Sequence, residues 1–284
     1  MVDDETLRSN NHMGQKTGTY ILITSTNFPE GGAGANYLNL FCRGLKANGT
    51  LISVYLLKGH AFGDTRYDGP RSNISPEGIP YTYLGFKQRP ENLLLKLADQ
   101  FISFARLLYL LTSLIIQRKQ VTILVYNGDI FFNTPIHLAG RIGKIKIVKF
   151  AAEIIDQSQY RQSILGRISR AAYMFNFKYL NRIADKMIVF SYYLKDEFVQ
   201  LGIGERKILV QPNLTDFEFW QSESISTKYT LGYSGAPYMK DGLNDLLTAI
   251  KILRDRGVIV TLLVGGMPRL DGLWFPDLRQ NVLD

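Results

Sequence analysis

Residues 229–266 hold the side chains best suited to handling a phosphate. The stretch reads YTLGYSGAPYMKDGLNDLLTAIKILRDRGVIVTLLVGG. An apolar run ends in the small-residue turn Ser234-Gly235-Ala236-Pro237, and Lys240, Asp241 and Gly242 come after it. Glycine at 235 lets the backbone approach a ligand closely. A helix opening near Asp241 would aim unpaired N–H groups and its positive dipole end at the same place. Lys240 adds a full positive charge there. The same residues also make an ordinary strand-to-helix turn with a solvated lysine, because glycine turns are common.

Two further groups have chemical potential. Gly31, Gly32 and Gly34, in STNFPEGGAGA, are expected to form a flexible loop after a first strand, where ligands bind in open α/β sheets. Tyr37 occupies the position where a dinucleotide fingerprint needs a third small residue. Glu153 and Asp156 come after another apolar strand and could contact substrate or simply cap a helix. The isolated His60 reads as a solvated loop residue, and His137 as a packing residue in a helix.

These groups need elements to position them. Leu243, Leu246, Leu247 and Ile250 repeat at three- and four-residue spacing, which predicts a helix between strands at 229–233 and 258–264. Upstream, strands are expected at 20–24, 51–57, 81–84, 122–126, 146–150, 186–190 and 207–210. Helices are expected at 36–46, 90–117, 134–142, 159–183 and 192–201, with a long loop at 58–80. Strand and helix in alternation argue for a parallel sheet covered on both faces. The helix at 90–117 is apolar on most sides, but its longest uncharged run, 107–117, is too short to cross a bilayer; a buried or interfacial helix is expected. In the helix at 159–183, Arg167, Arg170, Lys178 and Arg182 share about a third of the circumference. That stripe fits either a solvated face or an anionic membrane surface.

The 284 residues suit two domains, and 46% apolar content supports proper cores. The single cysteine, Cys42, excludes a disulfide framework and fits a reducing cytoplasm. A net charge of +8 points to phosphorylated ligands, anionic membrane or nucleic acid. No zinc spacing, RNA-binding aromatic signature or long basic block accompanies the charge, so no nucleic-acid partner is expected. No metal-ligand cluster is apparent. Residues 1–18 read as a disordered tail without an apolar signal, and the rhythm breaks at 216–227, where a domain boundary is placed.

The segment ADKMIVFSYYLKDEFVQLGIGERKILVQPNLTD, residues 184–216, resembles the end of the first domain in family 4 glycosyltransferases of the GT-B fold. Ser191, Gly202, Pro212, Asn213 and Asp216 carry the likeness. YSGAPYMKDG resembles the opening of that family's second domain, and GGAGAN its first-domain glycine loop. The resemblance implies an α/β protein of two Rossmann-like domains. The first, residues 19–215, would take the acceptor; the second, 216–284, would bind the nucleotide sugar. It implies retaining transfer to a glycan or lipid-linked acceptor in polysaccharide or glycolipid biosynthesis. The nucleotide sugar would serve as substrate, with no separate cofactor. Lys240 would contact the donor diphosphate, Gly235, Asp241 and Gly242 would shape that site, and Gly32 and Gly34 would lie by the transferred sugar. Glu153 and Asp156 would act on the acceptor side, where the family often has a histidine, and Ala236 replaces a frequent arginine. A cytoplasmic protein, peripheral at the membrane through the basic stripe, is expected. The family's paired glutamates would fall beyond Asp284, so the second domain is expected to be incomplete. The alternative is an inactive truncated homologue that docks on a membrane or partner.

Overall fold

The computed structural model describes residues 18–60, 67–154, 164–216, 230–234 and 242–265. The chain forms two compact units, Met1–Asp216 and Phe217–Asp284. In the first, the order is β1 (Thr19–Thr24), α1 (Ala33–Ala47), β2 (Leu51–Leu56), β3 (Ser72–Ile74), β4 (Pro80–Tyr83), α2 (Leu93–Ile116) and β5 (Val121–Tyr126). Then come α3 (Ile130–Gly143), β6 (Lys146–Ala151), α4 (Ile164–Phe175), β7 (Lys186–Val189), α5 (Tyr192–Gln200) and β8 (Ile208–Val210). The strands form one sheet in the order β3-β4-β2-β1-β5-β6-β7-β8. Neighbours are parallel, save for the antiparallel edge pair β3–β4.

Alternation along the strands builds the two faces. Ile21 and Ile23 pack with Ile123 and Val125 under α2 and α3, while Leu22 packs with Leu124 under Tyr37, Leu38 and Cys42 of α1. Each buried Leu or Ile contributes about 1.5–3 kcal/mol, and a one-residue slip would exchange the faces. The sheet is therefore doubly wound. Connections leave β1 and β5 in opposite directions, which opens a crevice at their carboxyl ends.

Several local expectations need correction. Residues 58–80 are not a plain loop, since they contain β3, and His60 is buried rather than solvated. The His60 N–H donates to the Lys87 carbonyl and its own carbonyl accepts from the Arg89 N–H. Gly59 permits this approach, for a Cβ there would lie 2.6 Å from backbone atoms of Gln88 and Arg89. The helix α1 opens at Ala33, so Gly34 sits in its first turn and not in a flexible loop. A Cβ on Gly34 would stand 3.0 Å from the Thr26 methyl and 3.5 Å from the Tyr126 hydroxyl, so absence of a side chain lets the helix lie close on the strand ends.

Helix α2 runs unbroken for 24 residues from its cap, Asn92, whose side chain accepts from the N–H groups of Leu94 and Leu95. By length and composition it is apolar enough to cross a membrane, contrary to the reading from its uncharged run alone. Here it lies on the sheet. Leu107, Leu111 and Leu114 are buried, Asp99 accepts from the Phe86 N–H, and Arg106 donates to the Leu84 carbonyl. Its other side leaves Leu93, Leu94, Leu97 and Phe101 exposed. Helix α4 departs from the uniform helix expected, passing into a wider π-helical turn at Asn176–Leu180.

In the second unit, β9 (Thr230–Ser234) and β10 (Thr261–Gly265) are parallel, with α6 (Leu243–Asp255) between them in sequence. Gly242 caps α6 at φ +71°, a backbone conformation that glycine adopts without strain, so the helix opens two residues later than expected.

Candidate functional site at the carboxyl edge of the sheet

A cavity of about 440 Å³ lies where β5 and β6 end. The turn Asn127-Gly128-Asp129, the end of β6 with Glu153, and the inner side of α4 line it. Asp129 caps α3 by accepting from the Phe132 N–H, and its carboxylate is 3.9 Å from Lys58 at the end of β2. Asn127 adopts φ +53° and donates to the Thr26 hydroxyl, while Ser25 donates to the Asn127 carbonyl. These contacts stitch the turn after β5 to the turn after β1.

The floor of the cavity is polar and buried. Lys149 stands on β6 two residues after buried Ile147, on the face covered by α3. Its ammonium nitrogen donates to Asn176 Oδ1 at 3.0 Å. Asn133 of α3 donates to the same oxygen at 3.0 Å and to the Gly128 carbonyl. The π-helical turn explains why Asn176 reaches them: an extra residue per turn rotates its side chain inward, and such turns recur at functional sites. Burial pushes Lys149 down to about 7. Burial also pushes His137 down to about 3, helped by the charges of Lys149 and Arg141.

Glu153 lines the cavity on the side of Tyr126. Burial first, and then the Glu153 charge, raise the Tyr126 hydroxyl above its ordinary value. Gly34 packs close to the same hydroxyl, so the structure brings Gly34 and Glu153 to one tyrosine. Gly32 is the residue preceding α1, and the N–H groups of Ala35 and Asn36 donate to its carbonyl. Phe150, Tyr37, Phe41 and Phe190 complete an aromatic bed around Tyr126, with Tyr37 and Phe190 centroids 4.4 Å apart. Asp156, Gly235, Lys240 and Asp241 lie outside the described residues. Among the described residues no cluster of three or more His, Cys, Asp or Glu could hold a metal ion.

Sequence reasoning missed Lys58, Asn133, Lys149 and Asn176. One signal was available for Lys149: in KIVKFA it falls at an inward position of a strand otherwise apolar on that side. Asn176 carried none, because a helical wheel at constant pitch does not anticipate a π-helical turn.

No protein-family model matches the sequence, and no curated protein matches it. Solved structures do. The chain is similar to HepE of Anabaena in complex with UDP, with a TM-score of 0.57 at 15% identity, covering 94% of this chain and 65% of that one. The same protein in complex with UDP-glucose gives a TM-score of 0.56 at 15% identity, covering 93% and 65%. Apo UGT2 of Phytolacca americana gives 0.53 at 12% identity, covering 92% and 66%. The chain thus spans 65% of the HepE length. At such identities the likeness is one of fold: the chain has a GT-B-type glycosyltransferase fold, an α/β domain on a doubly wound sheet and, after it, a second unit with a Rossmann-like strand–helix–strand.

Proposed function

We propose that the protein is a glycosyltransferase that moves a sugar from a nucleotide-sugar donor to a glycan or lipid-linked acceptor, with retention of configuration, in polysaccharide or glycolipid biosynthesis. The observation that carries this reading is the match of 93% of the chain to a structure holding UDP-glucose. The cavity beside Glu153, at the sheet edge where α/β proteins bind ligands, supports an acceptor site in the first unit. Glu153 and Asp156 would orient the acceptor, and Gly32 and Gly34 would leave room for the transferred sugar. In the second unit Gly235, Lys240, Asp241 and Gly242 would receive the diphosphate. The leaving diphosphate gathers negative charge as the glycosidic bond breaks. Lys240 and the amino end of α6 would stabilise that charge.

The same reading puts the protein at the cytoplasmic face of an anionic membrane. Arg167, Arg170, Lys178 and Arg182 are exposed, and exposed Ile168, Phe175, Tyr179 and Ile183 lie among them.

Titration calorimetry with UDP and UDP-glucose tests the donor site. Lys240→Ala is expected to weaken UDP binding by about tenfold or more, as loss of a charge-assisted contact does. Equal UDP affinity in wild type and Lys240→Ala would remove Lys240 from the donor site. Absence of any sugar-nucleotide binding would count against the reading as a whole.

A further inference from the structure

The cavity at the carboxyl edge of the sheet is bordered by a buried lysine, Lys149. Lysine at a fully enclosed position is unfavourable, since the ammonium loses its hydration and an apolar side chain of similar size would fit the sheet better. Lys149 is 4% exposed and still borders the cavity. Its described partner, Asn176 Oδ1, is neutral and already accepts from Asn133, so the oxygen's two lone pairs are both engaged. An ammonium has three N–H donors, and this bond uses one of them.

From α3 Lys149 faces His137, held neutral by burial, and Asn133; Arg141 lies beyond His137. From α4 and its π-helical extension come Tyr173 and Asn176. At the mouth, Asp129 is turned to Lys58 and to the amino end of α3. Glu153 acts on Tyr126. Burial lowers the Lys149 value, and among the described residues no ion pair joins Lys149 to a carboxylate. The cavity of about 440 Å³ is large enough for a sugar-phosphate-sized group.

We propose that Lys149 recognises an anionic group, a phosphate or a carboxylate, on the acceptor that enters this cavity. Entry of the anion supplies the missing counter-charge. Above neutral pH the amine then takes a proton from solvent and becomes the ammonium that the anion faces. Only the word acceptor rests on the glycosyltransferase reading; the anion site stands on the cavity and can be measured without any sugar nucleotide. Failure to bind UDP would leave it untouched, and its own failure would leave the donor site untouched.

The test uses the full chain and inorganic sulfate, whose own protonation does not change in the working range. Calorimetric titration at about pH 8, above the Lys149 value, in two buffers of different protonation enthalpy should show uptake of a substantial fraction of a proton per sulfate bound. Lys149→Met should bind sulfate at least about tenfold more weakly and take up no proton. Lys149→Arg should retain sulfate binding with no proton uptake, because its charge is permanent. Circular dichroism of each variant establishes that it is folded, and the wild-type proton count needs no variant at all. Wild-type binding without proton uptake, or equal affinity in folded Lys149→Met, would overturn the proposal. Competition then identifies the source of the anion. Displacement of sulfate by mixed phosphatidylcholine–phosphatidic acid vesicles, and not by phosphatidylcholine alone, marks a lipid-borne phosphate. Displacement by inorganic phosphate alone marks a soluble acceptor.

Discussion

His137 and Lys149 both tie the stability of the first unit to pH. His137 is held near 3 in the folded chain, against 6.5 for the free side chain. Its folded value is depressed, so the neutral form favours folding above about 6.5, and that stability drains away as pH falls toward 3. About one extra proton binds the unfolded chain in that window, which removes roughly 2 kcal/mol by pH 5. His137 Nε2 is buried with no described hydrogen-bond partner. His137→Leu should therefore flatten the stability profile between pH 5 and 7, as read from urea midpoints; an unchanged slope would mean that His137 is charged when folded. Lys149 works in the same sense at higher pH: with its folded value near 7, stability rises as pH climbs toward 10.5. Lys149→Met should be as stable as wild type at neutral pH or more so, a result that a purely structural lysine would not give. The sequence displayed both residues but assigned Lys149 no role, because the neighbours that isolate it come from α3 and the π-helical turn.

Among the elements, hydrophobic period located most strands of the large sheet within a residue, since each carries its own alternation, but it missed the short edge strand β3 and began β10 three residues early. Positions where one segment leans on another were less legible. Nothing in residues 58–60 alone shows that the chain at 87–89 comes back to bridge them, so His60 read as exposed. That bridge leads to a sharp expectation. Gly59→Ala would drive a methyl into the backbone of Gln88 and Arg89, which cannot rotate aside. A loss of about 1–3 kcal/mol is expected, visible as a melting temperature several degrees lower. Asn92→Ala removes the side chain that caps α2 and should cost about 1 kcal/mol, while Gly204→Ala, where a Cβ meets nothing within 4 Å, serves as a silent control. The apolar character of α2 was plain in the sequence. Its two-sided nature was not, because Asp99 and Arg106 read as interruptions and are instead the ties that fasten it to the chain beyond β4.

At the scale of the molecule, the first unit has its own sheet and cores on both faces, so residues 18–216 expressed alone should unfold in one cooperative transition. A broad, non-cooperative melt would show that it depends on the second unit for its stability. Alternation made this architecture legible; the turn at 234–242 showed a glycine, a lysine and a helix start suited to a phosphate, but of that turn only Ser234 and Gly242 are among the described residues. The basic stripe Arg167, Arg170, Lys178 and Arg182 should bind phosphatidylserine vesicles with about 1 kcal/mol per charge near the surface. Flotation should fall when Arg170→Glu and Lys178→Glu are combined; equal flotation on neutral vesicles would sink that assignment. The exposed leucines and Phe101 on α2 give the protein an apolar surface of opposite temperament. Sodium chloride screens Arg167, Arg170, Lys178 and Arg182, whereas a kosmotropic salt such as ammonium sulfate drives apolar groups together. Purification should therefore meet two regimes. At low ionic strength the protein clings to anionic matrices, at high sulfate it precipitates early or stays on phenyl resins, and between the two lies a narrow band of salt in which it travels freely.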